Sequence, residues 1–206
     1  MKIVFLGKPQ SGKGTQSHFL SERLKVPHIS TGDILREEVK RKSPTGNRLK
    51  HILEKGELVQ DSLILSIVKK RLTAKGFILD GFPRTIGQAE ALEKIQPVDL
   101  VIDIYCPDAT IITRAAARRV CPTCGRIYGI DLPPKKPGVC DRCGQKLVRR
   151  PDDRKETVRH RLRVYQKQTA PLVKFYRHKG VYVRIDGTRP IPVVHKEILR
   201  KIETVK

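Results

Sequence analysis

The sequence contains no tryptophan, and its aromatic residues amount to only 5% of the 206 positions. Platforms that stack single-stranded nucleic acid need aromatic side chains, so this scarcity argues against a dedicated binder of such strands. The sequence also lacks an apolar run near the roughly 18 residues that a membrane-spanning helix needs. A membrane anchor is therefore not expected.

Space for a cleaved signal peptide is also lacking, because the first strand-like run begins at Lys2 and a glycine-rich loop follows at once. We therefore expect a cytoplasmic protein. In that compartment cysteines more often act as metal ligands or free thiols than as disulfides.

Acidic residues are scarce as well. The chain has 21 Asp and Glu against 43 Lys and Arg, which gives a formal net charge of +22. Such an excess favours anionic partners. Phosphate-rich small molecules and nucleic acid both fit it, and a merely solvated surface fits it too, so charge alone does not choose among them.

Short apolar runs alternate with helix-like stretches along most of the chain, which predicts an α/β fold: a P-loop NTPase-type parallel five-stranded sheet flanked by helices. Strands are predicted at 2–6, 26–29, 77–79, 98–105 and 181–185. Helices are predicted at 16–24, 31–41, 46–55, 61–73, 109–119, 154–179 with a bend at Pro171, and 190–204.

The pattern divides the chain into a core and two inserted parts. The core comprises 1–29, 60–119 and 151–206, and the segment 30–59 is expected to bind a monophosphate. Residues 120–150 hold four of the five cysteines and little helical periodicity. We interpret them as an inserted minidomain, which the family resemblance described below implies is a zinc-binding lid.

The run Gly7-Lys8-Pro9-Gln10-Ser11-Gly12-Lys13-Gly14-Thr15 fits the phosphate-binding pattern G-x-x-x-x-G-K, with the threonine one place late. Glycines let backbone N–H groups turn inward towards phosphate oxygens, and the helix that starts there adds its positive end. Lys13 would reach the β- and γ-phosphates. Asp80 closes the third predicted strand, at 77–79, and is a candidate to hold Mg²⁺ through water, with Thr15 as a second candidate.

Cys121, Cys124, Cys140 and Cys143 are spaced as C-x₂-C-x₁₅-C-x₂-C. This spacing favours a structural tetrahedral Zn²⁺ site, in which four thiolates leave no position for catalysis. Disulfides and an iron–sulfur cluster are the alternatives. Cys106 lies apart and is expected to be a small buried residue.

Several segments together resemble the motifs of the adenylate kinase family, specifically its long-lid, zinc-binding form, and they occur in that family's order. They are 7–15 (GKPQSGKGT), 30–36 (STGDILR), 56–59 (GELV), 80–85 (DGFPRT) with Gln88, Arg114 with Arg118 and Arg119, 150–153 (RPDD) with Thr157 and Arg161, and 186–188 (DGT). The resemblance spans nearly the whole chain. It implies the reaction MgATP + AMP ⇌ 2 ADP on a core with two mobile parts.

The resemblance also implies which residues bind each nucleotide. On the AMP side it implies Thr31, Arg36, Glu57, Leu58, Val59, Gly81, Arg84 and Gln88. On the ATP side it implies Gln10, Ser11, Gly12, Lys13, Gly14, Thr15, Arg114, Arg118, Ile127, Tyr128 and, through its backbone, Arg189. Arg150 and Arg161 would lie between the nucleotides. The catalytic set would be Lys13, Arg84, Arg118, Arg150 and Arg161.

One position departs from the family pattern, because Gln10 stands where the family loop usually has glycine. Glutamine has a side chain and disfavours a positive φ. If the loop needs that conformation at position 10, it should be slightly strained or reshaped, with altered ATP affinity and retained function.

Two other functions remain to be weighed. A kinase of UMP or CMP is disfavoured by the long lid and by Thr31, since pyrimidine kinases tend to have a short lid and an alanine there. A zinc-ribbon nucleic-acid-binding protein with an ATPase core would explain the charge but not the DGFPRT segment. We expect ATP and AMP or ADP as ligands, no specific nucleic acid, no membrane, and a monomer.

Overall fold

The computed structural model describes residues 1–204 and contains a parallel sheet of five strands in the order β2-β3-β1-β4-β7. The strands are β1 (Lys2–Leu6), β2 (His28–Ser30), β3 (Phe77–Asp80), β4 (Leu100–Tyr105), β5 (Arg119–Val120), β6 (Ile127–Tyr128) and β7 (Tyr182–Asp186). Strands β5 and β6 pair antiparallel outside this sheet. The predicted α/β class and the five predicted strands of the parallel sheet are confirmed.

Helices cover both faces of the sheet. They are α1 (Lys13–Leu24), α2 (Thr31–Lys40), α3 (Pro44–Lys55), α4 (Asp61–Lys69), α5 (Ile86–Ile95), α6 (Asp108–Ala117), α7 (Lys155–Val164), α8 (Pro171–His178) and α9 (Ile191–Glu203). None of the helices within residues 1–204 is long and apolar enough to cross a membrane.

Helix α5 was missed by the sequence analysis, although Thr85 marks its start. The Thr85 hydroxyl accepts a hydrogen bond from the Gln88 backbone N–H at 3.2 Å, which is the ordinary N-terminal cap of a helix. The predicted helix at 61–73 was too long, because α4 ends at Lys69.

The long helical stretch is interrupted next to Pro171, where a bend was predicted. A π-helical turn at Tyr165–Thr169 separates α7 from α8. Proline has no backbone N–H and cannot continue the helical ladder, so a local change of winding there has an evident cause.

The sheet is buried on both faces, which explains why its strands are continuous apolar runs in the sequence. Val4 and Leu6 pack into one core with α4, α5 and α8, while Ile3 and Phe5 pack into a second core with α1 and α9. Because parallel strands all end at the same edge, the loops that follow β1, β3 and β7 meet there.

Candidate functional site

The loop at residues 7–15 connects β1 to α1 at that edge of the sheet. Gly7 and Gly12 have φ angles of 136° and 100°, values that strongly favour glycine. The Lys13 ammonium folds back over the loop and donates to the carbonyl oxygens of Gly7 and Lys8 at 2.8 and 2.7 Å. Gln10 has a φ of 66°, so position 10 does need the conformation that a side chain disfavours.

Lys13 and Asp80 line one cleft beside this loop, and each influences the titration of the other. Burial lowers the pKa of Lys13 to about 8, although the charge of Asp80 opposes that shift. Burial alone would raise the pKa of Asp80, but the neighbouring His28 and Lys13 hold it below its ordinary value. A charged carboxylate therefore lies at the end of β3, beside the phosphate-binding loop.

Two clefts open at this edge. The first cleft is lined by the loop and by residues of 114–132, and the second by residues of α2, α3 and 56–59. Both are lined by the same six residues: Gly32, Arg36, Gly81, Arg84, Arg150 and Arg161. The place where the clefts meet is therefore dominated by four guanidinium groups.

These guanidinium groups are crowded and half-buried. Burial, together with the charge of Arg36, lowers the pKa of Arg150 to about 9, and burial with the charge of Arg161 lowers the pKa of Arg84 to about 10. Burial also lowers the pKa of Arg161. A lowered pKa means that nearby carboxylates do not fully compensate the buried positive charges. The site therefore favours the binding of a polyanion.

Three carboxylates hold arginines of the site in place, and the sequence analysis gave them no role. Asp33 accepts from Arg36 at 2.6 Å, and Asp152 accepts from Arg161. Asp153 accepts two hydrogen bonds from Arg118, at 2.7 and 2.8 Å. Asp33 lies in the first turn of α2, and Asp152 and Asp153 lie in the 3-10 turn at Pro151–Asp153, where acidic residues are common and do not reveal an ionic partner.

The residues expected on the AMP side all line the second cleft. Thr31 donates to the Gly81 carbonyl at 2.9 Å. Gln88 donates to Asp61 at 2.6 Å and accepts from the Arg84 backbone N–H at 2.7 Å. Asp61 was missed because its carboxylate reaches a helix 27 residues away. Glu57, Leu58 and Val59 line the same cleft.

In the first cleft, Arg114 and Arg118 lie beside the loop, and Ile127 and Tyr128 contribute from the inserted part. Arg114 pairs with Asp131 at 2.9 Å. Tyr128 is almost fully buried and its hydroxyl contacts Cys140, so its ring packs within the inserted part. Cys106 is fully buried, as expected.

Arg189 does not line either cleft. Its exposed side chain pairs with Asp186 and Glu197 at 3.5 and 3.3 Å, so the structure does not bring this guanidinium to the other arginines. The neighbouring apolar residues Ile191 and Val194 line the first cleft instead. Neither residue was predicted from the sequence, because apolar residues at the start of a helix are typical of an ordinary core.

The four cysteines of the inserted part form one cluster, in which the Sγ atoms lie within 4.8 Å of one another. Sγ–Sγ distances of 3.4 and 3.5 Å separate Cys121 from Cys143 and Cys124 from Cys140. A tetrahedral zinc site with Zn–S bonds near 2.3 Å has its sulfurs roughly 3.8 Å apart. The thiols therefore fit a tetrahedral metal site.

The backbone around the cluster supports the same interpretation. Gly125 and Gly144 follow the two cysteine pairs with φ angles of 73° and 71° and close tight turns onto the carbonyls of Cys121 and Cys140. The Tyr128 hydroxyl lies 3.4 Å from Sγ of Cys140, within reach of a hydrogen bond that would stabilise a thiolate.

A phosphate-binding loop joined to a second cleft through shared arginines defines a P-loop nucleoside monophosphate kinase. The model of the adenylate kinase family matches residues 5–181 of the chain. The chain belongs to the adenylate kinase family.

Relatives named adenylate kinase match over nearly the full chain. The protein from Caldicellulosiruptor saccharolyticus is 47% identical, covering 98% of this chain and 99% of its own length. The protein from Archaeoglobus fulgidus is 46% identical and covers 100% of both chains. The protein from Thermotoga maritima is 48% identical, covering 97% of this chain and 96% of its own.

Proposed function

We propose that the protein transfers the γ-phosphoryl group of MgATP to AMP and produces two ADP. The observation that carries this proposal is the meeting of two clefts at the guanidinium groups of Arg36, Arg84, Arg150 and Arg161. The first cleft would take ATP, because it contains the glycine loop and the positive end of α1. The second cleft would take AMP.

The transfer needs alignment and charge compensation more than covalent help. Arg36 and Arg84 would hold the acceptor phosphate, and Arg118, Arg150 and Arg161 would neutralise the γ-phosphoryl group as it moves. Planar guanidinium groups bind phosphate oxygens through two parallel hydrogen bonds. The acceptor oxygen is already an anion, so no strong general base is required.

Magnesium and zinc would have separate places. Asp80 and Thr15 would hold hydrated Mg²⁺, and that ion supplies charge neutralisation to the phosphates. The four cysteines would bind one structural Zn²⁺. The position of Asp80 supports the assignment of Mg²⁺, because its carboxylate lies next to the phosphate-binding loop. Only 3.3 Å would separate the Asp80 Oδ2 atom from a Cβ atom built on Gly14.

The inserted part 120–150 would act as a lid that excludes water, because water competes with AMP as an acceptor. Lys40 of α2 donates to the Pro122 carbonyl at 3.1 Å, a contact between the proposed lid and the wall of the second cleft. Such a contact supports closing of the lid over both clefts.

The acceptor is tested by mixing folded, zinc-loaded protein with MgATP and each of AMP, UMP, CMP and GMP, and measuring diphosphate formation. We expect rapid ADP formation with AMP alone. Turnover with UMP or CMP would contradict the acceptor assignment but keep the mechanism. Absence of transfer to all four would overturn the proposed function.

We also propose that the protein works in the cytoplasm as a monomer, since two moving parts need free space around them. Light scattering after size exclusion should then give a mass near 23.4 kDa. A mass of twice that value at micromolar concentration would contradict a monomer.

The affinity for MgATP should fall as the pH rises above 8, because Lys13 then loses the charge that its phosphate partner needs. A lysine with a lowered pKa in the folded chain costs stability below pH 8, and this cost disappears as the pH approaches 10.5. Bound triphosphate favours the charged form, so binding near pH 9 should take up protons. The dissociation constant should rise by up to about tenfold per pH unit.

Titration calorimetry in buffers of different ionisation enthalpy measures this proton uptake. The control is Lys13→Arg, whose side chain stays charged over this range, so it should take up fewer protons on binding than the unaltered protein, whatever its affinity. Any uptake that remains belongs to Arg150, whose pKa burial lowers to about 9. Binding at pH 9 without proton uptake by the unaltered protein would show that Lys13 is already charged there.

Closure of the lid should weaken as salt is added. Residues 119–150 contain eight Lys and Arg against two Asp, so the lid stays positive even with four thiolates on one Zn²⁺. Because salt screens exposed charges, the ATP concentration that half-closes the lid should rise between about 50 and 300 mM KCl.

The absence of tryptophan makes this measurement direct. Ile130 is 54% exposed and lines the first cleft, so the fluorescence of Ile130→Trp should report closure. Adding Lys135→Glu and Lys136→Glu should flatten the salt dependence. A half-closing concentration that is independent of salt would rule out the electrostatic contribution.

A further inference from the structure

Gln10 has a backbone conformation that its own residue type disfavours. Its φ of 66° lies in the left-handed region. There the Cβ atom of a side chain crowds the following carbonyl oxygen, whereas glycine adopts this conformation without strain. A residue that keeps a side chain at such a position needs a contact that offsets the strain.

The side chain makes such a contact. The Gln10 Nε2 atom donates to Oδ1 of Asp153 at 2.6 Å. The Asp153 side chain is fully buried, and its carboxylate also accepts from Nη2 and Nε of Arg118 at 2.7 and 2.8 Å. One buried carboxylate therefore joins the phosphate loop to an arginine of the first cleft.

The position of this contact in the chain is informative. Arg118 directly follows α6 and Asp153 ends the 3-10 turn at Pro151–Asp153, so their pairing closes the base of the lid. The Arg118 guanidinium also lies 3.9 Å from Asp152, which holds Arg161. Gln10 thus contacts the first member of a series of ion pairs, Asp153–Arg118–Asp152–Arg161, which extends to the place where the clefts meet.

We infer that Gln10 is a positioning residue, which fixes the Asp153 carboxylate and through it orients Arg118 towards the transferred phosphoryl group. This inference rests on the proposed phosphoryl transfer. Without the Gln10 amide, the Asp153 carboxylate keeps its two hydrogen bonds to Arg118 but loses the contact that ties it to the phosphate loop. The Arg118–Asp153 pair can then shift as a unit away from the geometry that compensates charge in transfer.

The test is a double-mutant cycle of Gln10→Gly and Arg118→Lys, with kcat and KM for MgATP measured for all four proteins. Lysine keeps a positive charge but cannot form the paired hydrogen bonds to Asp153. We expect Gln10→Gly to lower kcat about tenfold in the Arg118 protein, with KM changed less than twofold. In the Arg118→Lys protein the same change should have almost no effect on kcat.

The melting temperature separates positioning from strain. Gln10→Gly relieves the strained φ but also removes the hydrogen bond to Asp153, so the two effects oppose each other and the variant should melt close to the unaltered protein while it loses activity. The matched control is Lys25→Gly, which relieves a φ of 54° at the exposed end of α1 and should leave kcat unchanged. Gln10→Asn, which tolerates positive φ but is one carbon shorter, should lower kcat as Gln10→Gly does.

Two results would overturn the inference. Equal losses of kcat in the Arg118 and Arg118→Lys proteins would mean that Gln10 acts on the loop itself. Unchanged kcat in both Gln10→Gly and Gln10→Asn would mean that the contact has no part in the transfer. Failure of the proposed function is distinguishable from both, because the unaltered protein would then show no transfer to AMP.

Discussion

Replacement of Arg84 with alanine is expected to lower kcat/KM for AMP by about 10³-fold, within the range by which arginines accelerate phosphoryl transfer. Arg84 lines both clefts and donates through Nε to the Gly81 carbonyl at 2.8 Å, an arrangement in which its two terminal nitrogens can donate to phosphate oxygens. Its lowered pKa shows that the folded chain holds this charge at a cost before any anion binds.

Steady-state kinetics with varied AMP and saturating MgATP measure the loss. Arg84→Lys keeps the charge but not the planar fork, and we expect it to recover only part of the activity. Arg200→Ala is the matched control, because Arg200 is an exposed arginine of α9 that lines neither cleft. If Arg84→Ala lowers kcat/KM for AMP less than tenfold, then Arg84 does not compensate the charge of the transferred phosphoryl group where the clefts meet.

Removal of the metal is expected to unfold the lid and abolish phosphoryl transfer while the core sheet stays folded. The buried cluster of the lid contains Cys121, Tyr128, Cys140 and Leu147, with Cys124 packed against it, so little apolar surface remains to hold it without a metal. Binding free energy at such a site is largely folding free energy. Without a folded lid to exclude water, the core should still bind nucleotides but should transfer the phosphoryl group inefficiently.

The experiment compares metal content, activity and melting for the unaltered protein, for Cys140→Ser and for protein treated with a strong chelator. The unaltered protein should contain one zinc per chain, and Cys140→Ser should contain much less. Cys106→Ser is the control, because Cys106 lies outside the cluster and should leave the zinc content at one. Full activity in protein freed of zinc would refute a structural role for the metal.

The sheet and the phosphate loop could be predicted because their signals are local. Strand β1 is an uninterrupted apolar run, and the loop after it needs glycines at fixed places. The cysteine cluster is likewise a matter of spacing. By contrast, the hydrogen bonds that Gln88 donates to Asp61, and that Arg118 and Gln10 donate to Asp153, join distant segments, and no sequence periodicity indicates them.

Arg189 illustrates the opposite limit, since its place directly after the family-like segment 186–188 says nothing about where its side chain lies. The structure directs this guanidinium to Asp186 and Glu197, so only the backbone role proposed for it is open to test. Gln10 shows what a departure from a family pattern contributes. The sequence predicted strain if φ were positive, and the structure adds the partner that offsets it.

The six residues shared by the two clefts also determine what kind of inhibitor should bind most tightly. Two nucleosides joined by one phosphate chain would place a base in each cleft and the chain across Arg36, Arg84, Arg150 and Arg161. Once one end is bound, the other is present at millimolar effective concentration, so avidity exceeds either separate affinity by about 10²- to 10⁴-fold. The number of phosphates in the linker that gives the highest affinity would then measure the distance between the two nucleoside sites.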